Sequence, residues 1–162
     1  MNNLKQIFVY ISDMKISKDP DAVLVTHSLG SCIGLAGYDP VVKVGALLHF
    51  QLPDSKVHTK STQENPHMFA DTAIPLLLQQ LYAHGAERDH LLFGMFGGAS
   101  LLDEPELFKI GIKNARATKK VLWQHSISVT HEDVGGGANR TVSLEIASGK
   151  IKLKKDGRTY KL

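Results

Sequence analysis

The stretch Ser31-Cys32-Ile33-Gly34-Leu35-Ala36-Gly37-Tyr38-Asp39-Pro40-Val41-Val42-Lys43-Val44-Gly45-Ala46-Leu47-Leu48-His49-Phe50-Gln51-Leu52 decides how this chain folds. Two apolar runs, Ser31 to Tyr38 and Val44 to Leu52, flank Asp39 to Lys43, where Pro40 is preset for the first central position of a turn. The pattern predicts a β-hairpin. If the loop is the four residues Pro40 to Lys43, His49 faces Gly34 and lies diagonal to Cys32 on one sheet face. If the turn is Pro40-Val41 alone, His49 faces Cys32 directly. The two-residue loop is disfavoured, because favoured hairpin turns need a positive φ that proline cannot adopt. Either register sets the two side chains roughly 5 to 8 Å apart. A one-residue bulge would send them to opposite faces.

Outward from the hairpin, strands and helices alternate irregularly. Ile7, Val9 and Ile11 interleave with Phe8 and Tyr10 as a strand filled on both faces, and Val23 to Val25 forms a short strand ending at Thr26. Asp54 to Met68 is polar and reads as a loop. A helix follows, capped by Asp71 or Thr72, with Ile74, Leu77, Leu78 and Leu81 on one face, Pro75 in its first turn and Gly85 as its stop. Leu91 to Phe96 is a strand running into Gly97-Gly98. A second helix spans roughly Ile110 to Gln124 and presents Ala117, Val121 and Leu122. Ser126 to Glu132 reads as a strand, and three more begin at Thr141, Lys150 and Thr159. They turn at Ser148-Gly149 and Asp156-Gly157, the latter suited to a type I′ turn. Two helices among many strands joined by tight turns mean α+β, with antiparallel or mixed sheets and helices packed on their faces.

The chain has 162 residues, 43% hydrophobic and 22% charged, which is globular composition and the size of one domain over residues 1–162. The single cysteine excludes an internal disulfide framework and a Cys-rich zinc site. Met1 to Gln6 lacks an apolar secretory region, and no run is long enough to span a bilayer, so a cytoplasmic protein without membrane insertion is expected. Net charge is +3, yet residues 150–162 hold six Lys or Arg against the single Asp156. Their alternation with Ile151, Leu153, Tyr160 and Leu162 fits a solvated edge hairpin guarded by lysines better than a nucleic-acid footprint.

Cys32 and His49 are the candidate pair for catalysis. An isolated thiol is only about 3% thiolate at pH 7, and a neighbouring imidazole can take its proton to free a nucleophile for a carbonyl or carboxamide. Leu29-Gly30-Ser31-Cys32 can turn backbone N–H groups toward a developing oxyanion. Thr26, ending the preceding strand, can orient the imidazole as the third group of a triad. The plainer alternative is a small buried cysteine beside a structural histidine. His49, His58 and His67 recur every nine residues, but two lie in the expected loop, which argues against zinc. The glycine runs at 97–98 and 135–137 lack dinucleotide-binding spacing and read as turns, so no cofactor is expected.

At these residues the sequence resembles the chemoreceptor glutamine deamidases of the CheD family. The matching pieces run in order from Ser17-Lys18-Asp19-Pro20 through Thr26, Leu29 to Ile33, Tyr38-Asp39-Pro40, Gly45, His49 and Leu52 to Ser55. They continue with Phe69 to Ile74, Gly85-Ala86, Phe96 to Ala99, Ile110 to Asn114, Asp133 to Gly136, Arg140 and Gly149. The resemblance implies a cysteine hydrolase that converts glutamine side chains of methyl-accepting chemotaxis receptors to glutamate. It places the nucleophile on Cys32, the histidine on His49 and the threonine on Thr26. It also implies a fold similar to toxin-type cysteine deamidases and a CheC-type phosphatase as regulator. A non-catalytic adaptor that docks receptors or that phosphatase is the competing reading. The sequence departs from the family at Ser28, where glycine is common, at Gln51, and at His27, which is a rival partner for Cys32.

Overall fold

The computed structural model describes residues 3–56, 58–100, 103, 105 and 109–162. Two five-stranded sheets form its centre. The first orders β1 (Lys5–Phe8), β3 (Ala22–Leu29), β8 (Arg140–Glu145), β9 (Ile151–Lys155) and β10 (Arg158–Lys161) side by side. The second orders β2 (Asp13–Ser17), β5 (Val44–Phe50), β4 (Ile33–Asp39), β6 (Leu92–Gly97) and β7 (His131–Val134). Pairing is antiparallel except between β1 and β3 and between β6 and β7. With α2 (Ala70–Ala83) and α3 (Ile110–Gln124) added, this is the expected α+β architecture with mixed sheets.

The hairpin occupies the middle of the second sheet, and all seven residues of both β4 and β5 are buried. Alternation explains why both faces are apolar. Ile33, Leu35, Val44, Ala46, Leu48 and Phe50 join a core with Ile74, Leu77 and Leu81 of α2 and Leu122 of α3. Ala36, Tyr38 and Leu47 point the other way, into a core with Leu24, Val142, Leu144 and Leu153 of the first sheet. The layers are therefore sheet, sheet, helices. Each buried leucine contributes about 2 kcal/mol by area.

The hairpin closes through the four residues Pro40 to Lys43, with Asp39 paired to Val44 and Gly34 paired to His49. The buried Asp39 carboxylate fixes the tip by accepting the N–H groups of Val41, Val42 and Glu87. Helix α2 buries the expected face and ends in a Schellman motif: Ala86 N–H bonds Leu81 C=O and Gly85 N–H bonds Tyr82 C=O, with Gly85 at φ +96. The Asp156-Gly157 turn has positive φ at both residues, and β10 lies exposed at the sheet edge.

Several expectations need correction. The first strand stops at Phe8, and β2 was not expected at all, because an edge strand of five residues with Asp13 and Lys15 offers only Met14 and Ile16 as apolar signal. The expected loop 54–68 contains α1 (Thr59–Glu64) and a 3-10 turn at Pro66–Met68. Helix α2 starts after Phe69 with no side-chain cap, so Pro75 lies beyond its first turn. The Thr72 hydroxyl donates instead to the Pro66 carbonyl. Ile127 and Val129 do pack on the core, but laddering with β6 begins only at His131.

Candidate active site

Thr26 lies where β3 loses register with β8: pairing slips between Thr26 and Leu29, and Ser28 sits at φ +57. A left-handed residue at that bulge favours glycine, which accounts for the physical character of position 28. The slip leaves Thr26 fully buried. Its Oγ1 is 2.7 Å from the Val9 carbonyl oxygen and 2.8 Å from His49 Nδ1. A hydroxyl has one hydrogen and a carbonyl can only accept, so the Thr26 proton goes to Val9. The contact with His49 must then be Nδ1–H donating to Thr26, and Nε2 carries the lone pair. That Nε2 is buried without a hydrogen-bond partner among the described residues.

An orphaned buried nitrogen costs about 1–3 kcal/mol, and such groups call for a reason. His49 Nε2 is such a group. Burial lowers the His49 pKa to about 4, while Asp13, directly across the β2–β5 ladder, pulls weakly the other way. The imidazole is neutral at physiological pH, with its basic nitrogen held ready and undimmed by a bond.

Cys32 precedes β4, is half-buried, and packs against the inter-sheet core on the face that carries Gly34 and His49. Gly34 is needed there: a Cβ would stand 2.8 Å from a Leu29 methyl and 3.4 Å from the Thr26 methyl. Burial pushes the Cys32 thiol above its ordinary pKa, and its own N–H, lying against the sulfur, pulls it back only in part. Both shifts favour the uncharged forms near neutral pH, a thiol at Cys32 and a neutral imidazole at His49, and no hydrogen bond joins the two among the described residues.

The backbone around Cys32 is pinned from three sides. Gly98 N–H donates to the Cys32 carbonyl and Ala99 N–H to that of Gly30, each at 2.9 Å. Gly97, at φ +109, passes so close to the Cys32 carbonyl that a Cβ would overlap its oxygen. The buried Arg140 guanidinium bonds the Gly97 and Gly135 carbonyls and the Asp133 carboxylate, tying β6, β7 and β8 together behind the site. The Asn114 side chain donates to the carbonyls of Ser31 (2.9 Å) and Gln51 (2.8 Å).

His27, the rival partner, is exposed on the other side of β3, its ring 5.7 Å from that of Phe8. Gln51 turns its amide oxygen to the Ser12 hydroxyl. His58 stacks on Phe69, and no group of three or more His, Cys, Asp or Glu among the described residues could hold a metal. Clefts of 430 and 470 Å³ flank α3, and neither is lined by Cys32 or His49.

A family model described as CheD chemotactic sensory transduction matches residues 51–155. A probable chemoreceptor glutamine deamidase CheD 1 of Syntrophus aciditrophicus is 45% identical over 151 residues, covering 93% of this chain and 94% of that protein. The chain belongs to the CheD family. A probable chemoreceptor glutamine deamidase CheD of Solibacter usitatus is 44% identical over 98% of the chain and 94% of its own length. Its counterpart in Clostridium botulinum is 39% identical over 96% of both. As a CheD family member the chain brings Thr26 and His49 into contact from different sheets and sets Cys32 on the same face as His49. Sequence reasoning gave Asn114 no role, although it ends the family-like piece Ile110 to Asn114: an asparagine at a helix position in line with Val121 and Thr118 gives no sign that it is buried.

Proposed function

We propose that this protein is a cytoplasmic protein-glutamine deamidase, one catalytic domain over residues 1–162, that converts glutamine side chains of chemoreceptors to glutamate. The names of its relatives support the substrate class. The observation that carries the chemistry is the Thr26–His49 bond, because it leaves Nε2 of His49 as an unbonded base.

In this reading His49 Nε2 accepts the Cys32 thiol proton as sulfur bonds to the glutamine amide carbon. The carbonyl π electrons move to oxygen, and the Cys32 N–H beside the sulfur supports that negative charge. The C–N bond then breaks, the imidazolium proton goes to nitrogen, ammonia leaves and a thioester remains. His49 next takes a proton from water, whose oxygen attacks the thioester carbon. The C–S bond breaks, sulfur regains the proton, and glutamate is released. The sum is carboxamide plus water giving carboxylic acid plus ammonia, and no step calls for a metal or cofactor. Thr26 holds the ring in the required tautomer throughout. A CheC-type phosphatase is the proposed regulator, bound in the receptor's place.

The test incubates a purified receptor cytoplasmic fragment with wild-type protein and with Cys32→Ala, following the mass gain of NH₂ replaced by OH. Wild type should deamidate and Cys32→Ala should not. Binding without any mass gain by wild type would instead make the chain a docking adaptor.

A further inference from the structure

We propose that Asn114 is a positioning residue of the deamidation reaction: it clamps the loop that carries Cys32 to the end of the strand that carries His49. This rests on the deamidase reading and adds a component that the Cys-His-Thr set does not contain.

Asn114 is fully buried on α3, and the two N–H bonds of its amide point to two different carbonyls, Ser31 at 2.9 Å and Gln51 at 2.8 Å. Ser31 immediately precedes Cys32, and Gln51 follows His49 by two residues. The orientation of the amide is forced, since turning it over would set its oxygen against two carbonyl oxygens. Its Oδ1 is left buried with no hydrogen-bond partner among the described residues. A group kept only to stabilise α3 would gain from an apolar side chain of equal volume, which orphans no acceptor on itself. What only asparagine supplies is the two-way donor.

The surroundings fit that role. Helix α3 begins against the Gly97–Ala99 segment so closely that a Cβ on Gly111 would overlap the carbonyls of Gly98 and Ala99. Gly98 in turn donates to the Cys32 carbonyl. The Thr118 hydroxyl bonds the Asn114 carbonyl at 2.9 Å, holding the helix backbone behind the clamp. Nucleophile loop, base-bearing strand and helix thus meet at one side chain. Cys32 precedes β4 and is outside the hairpin ladder, so its distance from His49 depends on tethers such as this one. A displacement of about 1 Å in such a pair can lower turnover on the order of a hundredfold.

The experiment compares wild type, Asn114→Ala and Asn114→Leu, the last keeping the volume without the donors. With the receptor fragment as substrate, both variants should lose at least about tenfold in kcat with KM within about twofold. The Cys32 alkylation rate with iodoacetamide should change at least about fivefold in both, a readout that needs no substrate. A folded Asn114→Leu with wild-type kcat and wild-type alkylation would overturn the proposal and show a space-filling role. If wild type itself fails to deamidate, the function falls while the alkylation comparison still decides the clamp. Should neither variant fold, nuclear magnetic resonance of wild type decides: both Asn114 side-chain amide protons should exchange far more slowly than those of exposed asparagines. Equally fast exchange would overturn the clamp.

Discussion

Thr26 Oγ1 and His49 Nδ1 meet at 2.8 Å across the interface of two sheets, and the Thr26 proton is already given to the Val9 carbonyl at 2.7 Å. One hydroxyl therefore sets the tautomer of one imidazole. Everything chemical at Nε2 follows from that assignment.

Replacing Thr26 by valine keeps the shape and removes the acceptor. The Nδ1–H and the Val9 carbonyl are then both buried without partners, at a stability cost of about 1–3 kcal/mol. Turnover should fall on the order of a hundredfold, as expected when a general base loses its orientation. Thr26→Ser keeps the hydroxyl and should retain most activity. Nitrogen-15 shifts of the imidazole check the cause: the Nδ1–H form should dominate in wild type and in Thr26→Ser but not in Thr26→Val.

The pH dependence follows from the depressed pKa of His49, about 4, with burial as its cause. Protonated His49 cannot take the thiol proton, so kcat/KM should stay level from neutrality down and fall only as pH nears 4. Stability behaves differently. Between the ordinary histidine value near 6.5 and about 4, the unfolded chain binds a proton that the folded chain refuses. Stability from this group is therefore intact above about 6.5 and is lost on acidification, reaching about 3 kcal/mol at the lower limit. Urea midpoints measured across this window should drop with pH in wild type and drop less in His49→Gln.

Gly34 lies across the β4–β5 ladder from His49 and beside Leu29 and Thr26 of the other sheet. In Gly34→Ala the new methyl would crowd a Leu29 methyl at 2.8 Å and make ordinary contact with the Thr26 methyl at 3.4 Å. Leu29 ends in a flexible side chain, so folding should survive with a loss of about 1–3 kcal/mol. Turnover should fall by less than roughly tenfold, because Thr26, which orients the base in the proposed mechanism, is touched but not displaced. Comparing thermal melts with kcat separates the two effects.

The hairpin was readable from residues 31–52 because both faces of β4 and β5 are apolar and Pro40 excludes the tightest turn. The register that follows, Gly34 against His49, sets the site. Helix α3 was readable end to end from Ile110 to Gln124. Strand β2 was not, because an edge strand needs few apolar residues, and its pairing with β5 joins residues 28 to 36 apart in the chain. Tertiary contact also moved the start of α2, where docking of Phe69 and Ala70 outweighs the local caps Asp71 and Thr72. The Cys32–His49 face follows from strand alternation; Thr26 was picked as a strand end, whereas β3 runs on past it to Leu29 and only the bulge marks its place. The Val9 bond, the forced tautomer and the Asn114 clamp depend on contacts between distant segments, which no local pattern records.

The central claim is that Cys32 attacks the substrate amide and carries it as a thioester. Acid quenching of wild-type protein during turnover of a receptor fragment, followed by proteolysis and mass spectrometry, tests this directly. A receptor peptide linked through its former glutamine to the Cys32 sulfur is the expected result, absent in Cys32→Ala. Deamidation by Cys32→Ala at the wild-type rate, with no linked peptide in either protein, would contradict it.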